Sequence, residues 1–120
     1  WGGAGDDTLH GGAGDDSLFG DARSTAGDLT RVTRGCDRFV FATGSGQDTI
    51  FDFETQRDVI DLNGYAAITS VPNLLTFASQ SGANVVIDLG EAAGGAADVD
   101  TLTLSNILLA DISAANFDLV

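Results

Sequence analysis

The 120-residue chain has no lysine and no methionine, and it has one cysteine, one proline, one histidine and one tryptophan. With Cys36 alone, no disulfide forms within the chain, which makes a bound metal the more attractive brace for a small domain. No apolar run approaches the length of a membrane span, and no basic-then-apolar leader opens the sequence, so an export signal would not be an N-terminal one. The missing methionine and a start at Trp1, in mid-pattern, read as an excerpt from a longer protein. Catalytic signatures are missing too: there is no HExxH zinc motif, no GxSxG elbow and no GKS/T phosphate loop. His10 reads as a surface or edge residue, and Cys36, with no second histidine to activate it, as a part-exposed thiol. Carboxylate pairs for glycoside hydrolysis are not ruled out by count, yet these acids lie in repeat loops and not around a cleft. The fragment reads as non-enzymatic.

What is present is acid. Sixteen aspartates and two glutamates against five arginines give a net charge of −13. Such a chain repels nucleic acid and anionic membranes and attracts cations. Aspartate, the shorter acid, suits turns and hard cations better than it suits helices. Hydrophobic residues make up 43% of the chain, enough to fold one domain with a modest core and to exclude a disordered tail.

Three regions differ in composition. Residues 1–22 are rich in Gly and Asp; residues 23–34, "RSTAGDLTRVTR", are polar and hold three of the arginines. From Gly35 onward, short apolar runs alternate with turns: "DRFVFATG", "QDTIFDFE", "DVIDLNG", "NLLTFASQSG", "NVVIDLG" and "DTLTLSN". Runs of four to six residues rich in Val, Ile, Phe and Thr predict strands, with "ASQSGAN" as a hairpin loop. A single helical turn near "ADISAANF", capped by Asp111 or Ser113, is the one helical expectation in an all-β chain.

The first region says one thing twice. Gly2-Gly3-Ala4-Gly5-Asp6-Asp7-Thr8-Leu9-His10 is followed at a spacing of nine by Gly11 to Phe19. Glycines at positions one, two and four permit a tight loop whose carbonyls point inward. Position six is a carboxylate, Asp7 and Asp16, and position eight is a large apolar residue, Leu9 and Leu18, that points into a core. Each unit makes one turn and one short strand, buries nothing alone and must stack on copies of itself.

This pattern resembles the GGxGxDxUx nonapeptide of RTX proteins, secreted bacterial proteins whose repeats wind into a parallel β-roll around calcium. The resemblance implies two nonapeptides per turn, so that loops n and n+2 stack on one side about 4.8 Å apart. It implies calcium between them, held by position-six carboxylates and loop carbonyls, since a hard divalent cation takes six to eight oxygens. "GDA" at 20–22 and "GCDRFV" at 35–40 resemble the two halves of a third unit interrupted by a twelve-residue insertion. Asp16 and Asp37 are 21 apart, one repeat lengthened by twelve, although two separate degenerate units would also fit. "GSGQDTIF" keeps Gly44, Gly46, Asp48 and Ile50; "DFETQRDVIDL" keeps Asp58 and Ile60 in register.

The ligands so implied are Gly2, Ala4, Asp7, Gly11, Ala13, Asp16, Gly20, Ala22, Asp37, Gly44, Asp48 and Asp58, with Ca²⁺ as the cofactor. Asp7, Asp37 and Asp58 would line one edge of the roll and Asp16 and Asp48 the other. For Asp48 and Asp58, in eroded units, a plain turn acid stays open beside a ligand. Asp6 and Asp15, at position five, are expected to face solvent, and the arginines of 23–38 to pair with nearby aspartates.

The run from "DRFVF" to "DVIDL" is similar to the segment that closes the roll in serralysin-type proteases, and "NFDLV" at the end resembles a type I secretion signal. The expected architecture is a short parallel β-roll over 1–62, with the 23–34 insertion, and an antiparallel β cap with the export signal over 63–120. The resemblance implies a secreted, extracellular calcium-binding module that folds on meeting calcium outside the cell. Its expected partners are calcium and the type I machinery, with no nucleic acid and with end-to-end self-association open through the roll edge. An accessory domain of an extracellular metalloprotease or lipase, and an adhesion or carbohydrate-binding module, are the alternatives.

Overall fold

The computed structural model describes residues 6–20, 36–65, 68, 70–92, 94 and 100–119. Strands β1 (Thr8–His10), β2 (Ser17–Leu18), β3 (Arg38–Ala42), β4 (Gln47–Ile50) and β5 (Val59–Gly64) come first. Helix α1 (Val71–Leu75), β6 (Ala78–Ser81), β7 (Asn84–Asp88), α2 (Leu89–Ala92), β8 (Thr101–Leu104) and β9 (Phe117–Asp118) follow.

Successive strands of the first half alternate between two sheets. One sheet has the order β1-β3-β5-β9 and the other β2-β4-β8-β7-β6. All pairings of the first sheet are parallel, as are β2 with β4 and β4 with β8. Each pair of repeats therefore completes one turn of a roll. β1 bonds directly to β3 and β2 to β4, and the expected insertion at 23–34 lies outside the described residues.

The core is built from rows of position-eight residues. Leu9 lies opposite Phe39, Phe39 opposite Ile60, and Ile60 opposite Phe117. In the facing sheet Leu18 lies opposite Ile50, Ile50 opposite Leu104, and Leu104 opposite Val85. Phe39, Ile50, Ile60, Val85 and Leu104 have no exposed surface, and one apolar cluster runs through both halves of the chain. Strand sequences that alternate buried and part-exposed residues give this outcome directly.

β6, β7 and β8 pair antiparallel, and Ser81 opposes Asn84 across the expected hairpin turn. "NLLTFASQSG" is not one strand, however: residues 71–75 are helical because Ser70 accepts the Asn73 N–H at 3.3 Å and Pro72 sits in the first turn. "NVVIDLG" likewise ends in a helical turn, where the Asp88 side chain accepts the Glu91 N–H at 2.9 Å. The expected turn near residue 113 is present as two 3₁₀ turns, the second closed by a reciprocal Ser113–Asn116 capping box. After them β9 returns to the first sheet, fastened on the outer face by Arg38, whose guanidinium reaches Asp61 at 3.0 Å and also Asp118.

Candidate metal centre

The alternation that buries position eight also buries position six. Side chains two apart on a strand share a face, so Asp7, Asp16, Asp37, Asp48 and Asp58 point the same way as Leu9, Leu18, Phe39, Ile50 and Ile60. Asp37, Asp48 and Asp58 are 2%, 1% and 2% exposed, and Asp7 and Asp16 are half-buried.

These acids stack in two columns. The Asp7 N–H donates to Asp37 Oδ1 at 3.0 Å, and the Asp37 N–H to Asp58 Oδ1 at 2.9 Å. On the other side the Asp16 N–H donates to Asp48 Oδ1 at 2.9 Å. Each downstream carboxylate thus holds the loop upstream of it with one oxygen. The second oxygens of Asp7, Asp16 and Asp48 are buried with no hydrogen-bond partner. A buried, ionised oxygen left this way is costly, and a cation is what would satisfy it.

The glycines fit the same picture. A Cβ on Gly20 would lie 2.1 Å from Asp37 Oδ2, and one on Gly11 3.4 Å from Asp16 Oδ2 and 3.7 Å from the Asp48 carboxyl carbon. Position one therefore passes against the carboxylate, and Gly20 stands to Asp37 as Gly11 does to Asp16. Gly46 (φ 85°) has the Gly14 carbonyl 2.5 Å from where a Cβ would be, so only glycine lets these two loops stack.

The donor set suits calcium. Among the described residues no three Asp, Glu, His or Cys side chains converge on a metal position. A metal here must add backbone oxygens to paired carboxylates, an all-oxygen set of the kind a hard cation takes. Asp16 and Asp48 would hold one ion, with the loops that carry Gly11, Ala13 and Gly44; Asp7 and Asp37 would hold another beside Gly20. Gly2, Ala4 and Ala22 lie outside the described residues, as do Arg23, Arg31 and Arg34. When bound, the ion supplies positive charge to carboxylates that burial otherwise leaves without it.

Burial pushes the Asp48 carboxyl up to about 6, with Asp16 and Asp15 nearby adding to the effect. It pushes Asp58 up to about 7, against the lowering effect of two backbone N–H donors.

Four other acids behave differently from expectation or escape the motif. Asp6 and Asp15 do not simply face solvent: their side chains accept the Cys36 N–H at 2.7 Å and the Gln47 N–H at 2.9 Å, tying each loop to the next one on its side. Asp52 accepts the Gly20 N–H at 2.8 Å. Asp100 is 4% exposed and accepts the N–H groups of Gly44 and Gly46 at 2.9 and 3.1 Å and the Tyr65 hydroxyl at 3.1 Å. Nothing in the nine-residue pattern points to Asp100, which lies 52 residues beyond Asp48 in the sequence; the short "DVDTLTL" strand start was the available signal.

Residues 1–22 match the family model of the RTX calcium-binding nonapeptide repeat. Among solved structures, the AlgE6R3 subunit of the Azotobacter vinelandii mannuronan C5-epimerase is 29% identical with a TM-score of 0.58, over 98% of this chain and 65% of that one. The extracellular lipase LipA of Serratia marcescens is 20% identical with a TM-score of 0.57, over 100% of this chain and 21% of the lipase, and that likeness speaks to the fold alone. The chain thus spans less than two thirds of either protein. No curated protein sequence matches it.

The raised carboxyls set a pH dependence for the calcium-free chain. A carboxyl that binds its proton more tightly folded than unfolded favours folding at low pH, and that contribution is lost as pH rises through the folded value. Without calcium, stability should therefore fall between about pH 4 and pH 7 as Asp48 and Asp58 ionise. Saturating calcium should flatten or reverse the slope, because ion and proton compete for Asp48. Urea melts at both pH values, with and without calcium, check it.

Proposed function

We propose, for a chain that carries RTX calcium-binding nonapeptide repeats, that calcium is the folding switch of a secreted protein's C-terminal module and that its tail directs type I export. The observation that carries this is the pair Asp16 and Asp48, stacked in adjacent loops with a buried, unpartnered oxygen on each. In a cytosol poor in calcium those charges oppose folding, and an unfolded chain is fit for export. Outside, a site of about 10⁻⁴ M affinity with calcium tenfold higher adds ~1.4 kcal/mol by mass action. Two such sites add about 3 kcal/mol, a large part of a small domain's stability.

The partners we assign are calcium ions and the type I exporter, and the location is extracellular. β1 and β2 are the outer strands of their sheets, the place where a further repeat or another copy of the chain would pair. That the AlgE6R3 and LipA structures come from enzymes favours a parent that is an extracellular hydrolase or polymer-modifying enzyme, with this module as its accessory.

Millimolar calcium should raise the melting temperature and the β signal in circular dichroism. Magnesium should substitute poorly, because it demands a smaller octahedral shell and sheds water reluctantly. An unchanged melt across a calcium titration would remove the central claim.

The register supplies a second test. Asp16→Ala removes an oxygen aimed at the ion and should weaken calcium binding about tenfold or more. Asp15→Ala removes a loop-to-loop hydrogen bond worth about 1 kcal/mol and should weaken it less. Equal losses by calorimetry would mean that the acids are misassigned.

Export has its own readout. A passenger with this chain at its C-terminus, expressed beside a type I exporter, should reach the medium, and removal of residues 116–120 should retain it in the cell. Undiminished export after the removal would place the signal elsewhere.

A further inference from the structure

We propose that Asp58 and Asp100 end the two metal columns: each closes its loop onto backbone N–H groups where the next ion would otherwise lie, and neither ligates calcium. The inference rests on the calcium reading above and concerns where the ions stop.

Asp58 has the motif position of a ligand but not the free oxygen. Its Oδ1 accepts the Asp37 N–H at 2.9 Å and its Oδ2 the Glu54 N–H at 2.8 Å. The turn before it closes on itself, with the Glu54 carbonyl accepting the N–H groups of Arg57 at 3.0 Å and Asp58 at 2.8 Å. The Thr55 carbonyl, an oxygen that a loop would offer an ion, accepts the amide of Asn116 at 2.7 Å, and Asn116 is 1% exposed. Donors from three directions thus fill the positions that a cation would need. Asp7, Asp16 and Asp48 differ in the one respect that matters: each keeps a buried oxygen that no donor reaches.

The second column ends by a different route. The strand register places Leu102 opposite Asp48, so no carboxylate continues the row that runs from Asp16 to Asp48. Asp100, two residues earlier, turns to the Gly44–Gly46 loop. Its Oδ1 takes the Gly46 N–H, and its Oδ2 takes the Gly44 N–H and the Tyr65 hydroxyl. Ser45 Oγ lies 3.0 Å from the same hydroxyl, so the network is closed and buried. N–H dipoles that converge on a carboxylate present positive ends to the space around it, and a cation gains nothing there. Asp100 is thus a positioning residue: it fixes from below the loop whose other face completes the Asp16–Asp48 site.

The test is a count of calcium ions per chain by native mass spectrometry and calorimetry. Asp48→Asn should lose one ion. Asp58→Asn and Asp100→Asn should keep the full count while melting several degrees lower in saturating calcium, since each amide turns a donor toward a donor. Tyr65→Phe removes only one of the donors on Asp100 and should keep both the count and the affinity within about twofold. Loss of an ion in folded Asp58→Asn or Asp100→Asn would overturn the proposal. Should either variant fail to fold, a crystal of the unsubstituted, calcium-loaded chain decides: an ion within about 2.3–2.6 Å of an Asp58 or Asp100 oxygen overturns it, and ions confined to the other acids support it. A chain that binds no calcium would instead overturn the proposed function, and this inference with it.

Discussion

A strand of three residues cannot bury its middle side chain without aiming the residue two before it at the same interior. That constraint governs this molecule. Leu18 and Ile50 fill the core, so Asp16 and Asp48 are drawn to its rim, and the parallel stacking that aligns the leucine row aligns the acid row too. Parallel register therefore converts a sequence repeat into two stacks of like charge. The stacks help themselves in part, since each acid accepts the N–H of the one above. Asp58 has a backbone donor on each oxygen, whereas Asp7, Asp16 and Asp48 each keep a buried second oxygen without a hydrogen-bond partner.

The C-terminal half answers the same geometry with ordinary protein chemistry. β8 extends the parallel ladder of β4 but brings leucine to the row where acid stood. β9 extends the ladder of β5 and places Phe117 in the apolar row. With the acids gone, the sheet turns antiparallel through β7 and β6, and Gln80 fastens the following segment by accepting the Leu109 N–H at 2.7 Å and donating to the Ile107 carbonyl at 3.1 Å. A roll lined by stacked acids is thereby joined to a sheet without them, across one continuous apolar cluster.

Much of this was legible in the residues. The nine-residue spacing carried the strand positions, the inward Leu9 and Leu18, and the loop acids, because repeat geometry is local and each unit obeys the same rule. The spacing of Asp16 and Asp37, one repeat plus twelve residues, also agrees with the direct pairing of β1 and β3. What stayed hidden depends on contacts between distant segments. Asp100 reaches a loop 54 and 56 residues away, and Asn116 reaches one 61 residues away; no periodicity encodes either partnership. The helices at 71–75 and 89–92 were hidden for a different reason. Their apolar residues suit a strand as well as a helix, and only the caps at Ser70 and Asp88 tip the balance.

The placement of the arginines closes the argument about charge. Two arginines fall among the described residues, and both serve surfaces away from the Asp16–Asp48 pair. Arg38 reaches outward from β3 to Asp61 and Asp118, and Arg57 lies 3.9 Å from Glu54 within its own turn. A guanidinium would be a poor substitute at the inner site in any case. It needs a fork-shaped approach and brings a long stem, whereas Gly11 passes within van der Waals reach of both the Asp16 and the Asp48 carboxyl groups. A bare cation is a positive charge compact enough to suit loops that stack so closely that position 46 must be glycine. Glycine's lack of a side chain and the ion's lack of bulk are therefore two halves of one requirement: the loops can stack at strand spacing only if whatever neutralises their acids takes up almost no room.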